Sequence, residues 1–342
     1  MCEADSNIPI FSILLPTFNG SRYLAETLQS LLDQDFTDWE LIVFDDFSTD
    51  TTYDIARSIS DSRIRCFRHL SNLGYGGNLS SCVKEARGKF IFLLGQDDIL
   101  LPGALRNTVR AYDLEDNVGA VTRPYYWFLE QASVAVREVP PPNNSKDLIF
   151  DLSNDLTIAK SLINSLGQLS GLSFKRDLMK LDFHQHVFTS HLYPIMDILR
   201  HSKGVFLSHE TVAIRIASSQ TRFKSEIYNP PPLQTWVEMV DSVFCSESDL
   251  RTRLYMRKYL GSSNFVDLVQ IRNYSTWKIW AQEVRLFLQL RPNNLVDARF
   301  MFITLICLIT PRQVLRYAVD IFKKQVLSRF LDKRSRYFTV GG

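Results

Sequence analysis

The chain has 342 residues, 45% of them hydrophobic and 22% charged, an ordinary soluble balance with length enough for one large or two medium domains. Its net charge of +2 argues against a dedicated nucleic-acid binder, which carries a strongly basic domain or stripe. The five cysteines, Cys2, Cys66, Cys82, Cys245 and Cys307, have no spacing suited to zinc and read as reduced thiols, and the polar, acidic first residues lack a signal-peptide pattern, so a cytoplasmic protein is expected.

Phe11 to Leu15 is a short apolar run closed by Pro16. After Thr17-Phe18-Asn19-Gly20-Ser21 the period changes, with Leu24, Leu28, Leu31 and Leu32 on one helical face, which predicts a strand, a tight loop and a helix. Leu41 to Phe44 repeats the strand signal and ends in Asp45-Asp46-Phe47-Ser48-Thr49-Asp50; Tyr53, Ile55, Ala56 and Ile59 mark a second helix. Ile64 to Arg68 is a third strand. Asn72-Leu73-Gly74-Tyr75-Gly76-Gly77-Asn78 reads as a glycine-rich loop opening a helix that runs to about Arg87. Phe90 to Leu94 is apolar throughout, as expected of a strand buried on both faces, and it runs into Gly95-Gln96-Asp97-Asp98. A helix carrying Leu105, Val109 and Tyr112 follows, then a fifth strand from Val118 to Thr122. Strands alternating with helices predict an α/β fold with a doubly wound, mostly parallel sheet.

The pattern weakens beyond Arg123. Pro140 to Ser145 reads as a turn or linker, Leu156 to Leu166 as a helix, and Gln168 to Phe174 as a turn into a strand. Tyr193 to His201 is a further helix, with strands at Val205 to Leu207 and Thr211 to Ile216. Pro230-Pro231-Pro232 marks a boundary, and the rest reads helical. The expected domains are 1–229, with halves 10–122 and 123–229, and a helical C-terminal region 230–342.

Ligands of open parallel sheets bind beyond the carboxyl ends of the strands, which places Thr17, Asp46, the glycine loop and Asp97-Asp98 on one edge. Adjacent buried carboxylates call for a cation or a hydrogen-bond network, and Mg²⁺ is held by one or two carboxylates plus substrate phosphates. Each of these polar groups also has a plainer use as a turn or helix cap. The first loop lacks Gly-x-Gly-x-x-Gly and the chain has no Gly-Lys-Ser/Thr phosphate loop, which disfavours dehydrogenases and nucleoside triphosphatases.

Ser12 to Gly20, Glu40 to Asp50, Asn72-Leu73-Gly74 with Gly77-Asn78, and Ala86 to Lys89 leading into Gln96-Asp97-Asp98 resemble, in order, the blocks of glycosyltransferase family 2. The resemblance implies a GT-A, Rossmann-like fold and an inverting transferase that uses a nucleotide-diphosphate sugar, with a UDP-sugar as the leading donor, and Mg²⁺ or Mn²⁺. Carried over, Pro16, Thr17 and Asp46 contact the base, with Asn19, Asn72, Gly77 and Asn78 beside them. Asp97 takes the ribose or metal side, Asp98 is the principal metal ligand, and Gln96 is neither. The family's general base is matched by Asp197 within Tyr193 to Arg200, with His191 as the alternative because its ordinary pKa suits proton transfer near neutrality. His184 and His186 read as lining an acceptor cleft. Arg222 is matched to a loop that closes on the diphosphate. The competing readings are a sugar nucleotidyltransferase, whose glycine- and lysine-rich first loop is missing, and a non-catalytic GT-A scaffold.

Phe300 to Thr310 is apolar but shorter than the about 20 residues a bilayer span needs. From Pro311 to Arg336 the local charge is +6, with Leu315, Ala318, Val319, Phe322, Val326, Leu327 and Phe330 able to share one face. A basic amphipathic helix of this kind fits a membrane surface. The expected partners are a lipid-linked glycan acceptor and the inner face of a membrane; the competing use of the helix is packing on the catalytic domain.

Overall fold

The computed structural model of the protein describes residues 8–216 and 225–321. These divide into two units: one comprises the described residues to Phe128 together with Glu138–Arg215, the other Leu129–Arg137 and the described residues from Ile216 onward. The proline cluster expected to mark the boundary lies inside the second unit.

The first unit is built on an eight-stranded sheet. Its elements begin with β1 (Phe11–Thr17), α1 (Leu24–Leu32), β2 (Trp39–Asp45), α2 (Thr52–Ser58), β3 (Ile64–Arg68), α3 (Gly74–Glu85) and β4 (Phe90–Leu93). They continue with β5 (Ile99–Leu100), α4 (Ala104–Tyr112), β6 (Val118–Thr122), β7 (Tyr125–Phe128), β8 (Ala135–Val139), β9 (Leu148–Phe150) and α5 (Ala159–Leu166). β10 (Ser173–Lys175), α6 (Leu192–His201), β11 (Lys203–Phe206) and β12 (Val212–Arg215) complete it. β8 straddles the division between the units.

The sheet order is β3-β2-β1-β4-β10-β6-β11-β9. β1 pairs in parallel with β2 and β4, and β2 with β3, as the βαβ pattern requires. Every residue of β1 and β4 is buried, which is why both strands are apolar without alternation. Phe11, Ile13 and Leu15 of β1, Leu41 and Val43 of β2 and Phe90 and Phe92 of β4 join Leu24, Leu28 and Leu31 of α1 and Leu105 of α4 in one core. Each such buried side chain contributes roughly 1.5–3 kcal/mol. α3 packs against β1 and β2.

Two features differ from the sequence reading. β4 and β6 are not neighbours: β10 inserts between them, antiparallel to both. A strand antiparallel to β4 starts at β4's carboxyl end, so the turn before it, around Ser170, is delivered to Asp97 and Asp98. The glycine-rich stretch is not a loop preceding a helix. α3 begins at Gly74, which has φ +77°, and contains Gly76 and Gly77. A Cβ on Gly76 would lie 2.2 Å from the His184 carbonyl oxygen, so close approach of a neighbouring backbone overrides glycine's poor helix propensity.

A smaller sheet carries the order β5-β12-β7. β12 runs antiparallel to β5, with Val212 opposite Leu100 and Ala213 opposite Ile99. That register directs Arg215 back towards Asp98.

The second unit is helical: α7 (Pro232–Val243), α8 (Leu250–Leu260), α9 (Asp267–Tyr274), α10 (Trp277–Leu290), α11 (Ala298–Ile309) and α12 (Arg312–Ile321). α9 packs against α10, α11 and α12, and Phe265, Phe287 and Phe300 meet edge to face at 5.2 and 5.3 Å. Thr276 caps α10, and Asp297 caps α11 by accepting from the Arg299 and Phe300 amides. The C-terminal helical extension is therefore present. Among the described residues, no helix is long and apolar enough to cross a membrane. Of the basic stretch expected from Pro311 to Arg336, residues 311–321 are described and contain α12, while its remainder and Arg222 lie outside the described residues.

Candidate functional site

The carboxyl ends of β1, β2 and β4 are stitched together by side chains accepting backbone N–H groups. Asn19 N donates to Ser48 Oγ at 2.9 Å, Gly20 N to Thr52 Oγ1 at 2.8 Å and Ser21 N to Asp50 Oδ2 at 3.2 Å. Asn19 Oδ1 accepts in return from Thr49 N at 2.8 Å. Gln96 joins the same loop to β4: Phe18 N donates to its Oε1 at 2.9 Å, and its Nε2 donates to Phe18 O at 3.0 Å. A loop pinned at four consecutive residues is preorganised for a ligand.

Asp46 closes the second strand end. Its amide donates to Thr17 O at 2.8 Å, and its two carboxylate oxygens accept from Leu73 N at 2.7 Å and Gly74 N at 3.0 Å. Burial holds its pKa above the ordinary carboxylate value, against the opposing effect of those two N–H groups. Asn72 Nδ2 donates to Asp46 O. Asn78 is committed to the sheet: its Nδ2 donates to Phe44 O at 3.0 Å and Thr17 O at 3.4 Å, while its Oδ1 meets His69 Nε2. Asn72 and Asn78 therefore position α3 on the strand ends. Pro16 and Thr17 are buried at the end of β1, with Thr17 Oγ1 donating to Phe44 O, and Gly77 lies within α3.

Asp97 and Asp98 follow β4, and neither caps α4, whose N-cap is Gly103. Asp98 is 4% exposed. Ser170 Oγ donates to its Oδ2 at 2.5 Å and Arg215 N donates to its Oδ1 at 2.9 Å. Burial, and then the neighbouring Asp97 charge, push the Asp98 pKa well above the ordinary carboxylate range. Asp97 is half-buried, and its backbone oxygen accepts from Arg215 Nε at 3.0 Å. A Cβ on Gly95 would lie 2.9 Å from Asp98 Oδ2 and 3.4 Å from Asp97 Oδ1, so oxygens of both carboxylates look onto the space above this glycine. Two hard oxygen donors facing one small space, each disfavouring the other's charge, fit a divalent cation that completes its shell with phosphate and water. Among the described residues, no cluster of three or more His, Cys, Asp or Glu side chains surrounds such a space. The sequence reading ranked Asp98 first and Asp97 second. The structure anchors Asp98 on both oxygens and leaves Asp97 the more accessible of the two.

Four residues that sequence reasoning did not select complete the setting. Arg123, fully buried, donates from Nε to Ser170 O at 2.7 Å and from Nη1 to Ser165 O at 2.9 Å. Burial draws its pKa down to about 10. Ser170 Oγ also accepts from Gly95 N at 2.7 Å. Arg215 pairs with Glu26 and lies 4.2 Å from the Tyr23 ring and 4.4 Å from that of Phe128. Tyr75, at the start of α3, has its phenol pKa raised by burial and then by the charges of Asp98 and Asp97. The sequence signals were an arginine directly after an apolar strand and another inside one.

The two base candidates occupy different settings. Asp197 lies in α6, one turn from Tyr193, whose ring stacks on His184 at 4.4 Å with His186 against it at 4.6 Å. His191 is 4% exposed; its Nε2 lies 2.9 Å from Leu166 O, and its Nδ1 meets no partner. A carbonyl only accepts, so Nε2 carries the hydrogen. Burial lowers the His191 pKa to about 4.

This sheet, with a carboxylate pair at the end of its central strand, defines an α/β protein of the GT-A type. S. aureus TarS in complex with UDP-GlcNAc has the same fold, with a TM-score of 0.62 at 18% identity over 93% of this chain and 90% of that one. Residues 12–162 match the family model "Glycosyl transferase family 2", and over that segment the chain is similar to glycosyltransferase family 2. An uncharacterized glycosyltransferase of Rickettsia prowazekii is 26% identical over 215 residues, 62% of this chain and 66% of that protein. The GalNAc(5)-diNAcBac-PP-undecaprenol beta-1,3-glucosyltransferase of Campylobacter jejuni is 38% identical over 101 residues, 29% of this chain and 33% of that protein. The chain thus spans under two thirds of the length of these relatives.

Proposed function

We propose that this protein is an inverting glycosyltransferase that moves one sugar from a nucleotide-diphosphate sugar, with a UDP-sugar as the leading donor, to a hydroxyl of a lipid-linked or surface-polysaccharide acceptor. The observation that carries the reading is the convergence of Asp97 and Asp98 over Gly95, on the edge where Thr17 ends β1 and Asp46 follows β2. The lipid-linked acceptor follows from likeness to the Campylobacter undecaprenol-linked glucosyltransferase, and the uridine nucleotide from likeness to the UDP-GlcNAc complex.

In this reading Pro16, Thr17, Asn19 and Asp46 receive the base and ribose, with Asp46 accepting from a base N–H. Asp97 and Asp98 hold Mg²⁺ or Mn²⁺, Asp97 as the open ligand and Asp98 as the anchored one. The cation, when bound, supplies Lewis-acid stabilisation of the charge that develops on the leaving diphosphate. Asp197 takes the proton from the acceptor hydroxyl as the sugar carbon is attacked. His191, held neutral in the interior, is assigned to structure. Arg222 remains a candidate for closing on the diphosphate. The enzyme works at the inner face of the membrane.

A panel of nucleotide sugars, scored by thermal shift and by metal-dependent hydrolysis, tests the reading. Stabilisation by one nucleotide class with Mn²⁺ or Mg²⁺ is expected; no response to any nucleotide sugar overturns it.

A further inference from the structure

In the second unit, α11 presents an exposed apolar face among the described residues. Phe300 and Cys307 are buried, whereas Met301, Phe302, Leu305, Leu308 and Ile309 are 45%, 64%, 54%, 53% and 69% exposed. Their spacing places them on one side of the helix. Five large apolar side chains on one exposed face form a patch that mixed polar surface normally covers.

Cations gather at the C-terminal end of that helix. Arg272 Nε donates to the Cys307 carbonyl at 3.1 Å, capping one of the last open carbonyls of α11. Arg312 Nε and Arg316 Nε both donate to Asn273 O, at 2.6 and 2.8 Å, which draws three guanidinium groups to one place. Among the described residues, none of the three has an ion-pair partner. Burial, followed by repulsion from Arg316 and Arg272, lowers the Arg312 pKa, the mark of a cluster short of negative charge. Two aromatic rings hold the group: Arg272 lies 3.9 Å from the Trp277 ring and Arg316 lies 4.8 Å from that of Tyr274. Trp277 is itself half exposed.

We propose that the exposed face of α11 inserts into the surface of an anionic phospholipid bilayer, with Arg272, Arg312 and Arg316 taking lipid phosphates at its edge. An exposed apolar helix face whose C-terminal end is met by a guanidinium cluster matches the two layers of a bilayer surface, acyl chains below and phosphates above. Aromatic rings with a polar edge favour the boundary between them. A second protein copy would meet the apolar face but would bring the same cations to the contact. The surface gives a purpose to the lipid-linked acceptor proposed above, on which it rests; it shares Arg312 and Arg316 with the basic stretch from Pro311 to Arg336 and adds to them the exposed face of α11 and Arg272.

The full chain is floated with vesicles of phosphatidylcholine alone and with vesicles in which roughly one third of the lipid is phosphatidylglycerol, in the absence of any nucleotide sugar. Binding to the anionic vesicles, weakened by salt, is expected. F302S/L308S/I309S lowers the partition coefficient by on the order of tenfold or more. R312Q/R316Q lowers it by about tenfold on anionic vesicles and weakens the salt dependence. Circular dichroism and a cooperative thermal melt without ligand establish that each variant is folded. No binding by the full chain, or unchanged binding by the folded α11 variant, overturns the proposal, as does an α11 face whose removal changes only the oligomeric state in sedimentation. The donor reading is scored separately by its own thermal shift, so either can fail alone.

Discussion

The side-chain amide of Gln96 pairs with both backbone groups of Phe18, accepting from its N–H at 2.9 Å and donating to its carbonyl at 3.0 Å. An amide side chain here continues the pairing of β1 and β4 one residue beyond the sheet and holds the first loop at the carboxylate pair. Gln96→Ala removes both bonds, at about 1 kcal/mol each, and should lower Tm by several degrees. The KM for nucleotide sugar rises while kcat at saturation changes little. Gln96→Glu keeps the acceptor but turns an oxygen towards Phe18 O and adds a third carboxylate beside Asp97 and Asp98, so it weakens nucleotide binding further. Thermal unfolding with and without nucleotide measures both effects.

Asp97 and Asp98 are expected to separate in a Mn²⁺ titration paired with a melting curve. Asp97→Ala should abolish cation binding in the presence of UDP and leave Tm near that of the parent, because the side chain is half open and its loss relieves the charge on Asp98. Asp98→Ala should abolish metal-dependent transfer and also destabilise, since the Ser170 hydroxyl and the Arg215 amide lose their acceptor at about 1–3 kcal/mol for each buried group. Parent-like melting of Asp98→Ala contradicts its anchored role, and unchanged turnover removes it from the site.

The three acidic or looped strand ends were legible because strand ends of a parallel sheet converge by construction, so Thr17, Asp46 and Asp97 could be placed on one edge from alternation alone. The partners of Asp98 were not legible. Ser170 and Arg215 lie 72 and 117 positions away and arrive through β10 and β12, short antiparallel strands whose pairing no local periodicity announces. The glycines of α3 were misread as loop for the same reason: what they accommodate, the His184 backbone, is distant in sequence. Asn72 and Asn78 lay in a motif that resemblance assigned to the ligand, but side chains that reach backbone groups of the sheet are visible only once the helix is docked.

His191 and Asp197 should answer pH differently. Asp197→Asn is expected to lower kcat by about 10²–10⁴-fold, the usual worth of a positioned base, with Tm little changed. His191 has a folded pKa of about 4, below its unfolded value of about 6.5. Between those values the unfolded chain binds a proton that the interior refuses, so the contribution to stability is full above pH 6.5 and is lost as pH falls towards 4. His191→Gln should flatten this part of the stability profile in urea titrations and leave the pH–rate profile in place. A shifted pH–rate profile in His191→Gln returns the histidine to the mechanism.

Glu283 in α10 predicts the opposite slope for the second unit. Its Oε1 accepts from Leu233 N at 3.0 Å while Oε2 is buried without a partner, and burial, with a further push from Asp267, raises its pKa to about 8. Against an unfolded value of about 4.3, the native state binds the extra proton between those pH values, so stability falls as pH rises from about 4.3 through 8. The loss is on the order of a few kcal/mol for one fully buried group. Glu283→Gln retains an oxygen for the Leu233 amide and cannot ionise, so its urea midpoint should vary less between pH 6 and 9 and exceed the parent's at the alkaline end. A parent chain whose second unit is equally stable at both ends of that range, or a glutamine variant that melts lower at pH 9, would show that Glu283 enters the native state charged.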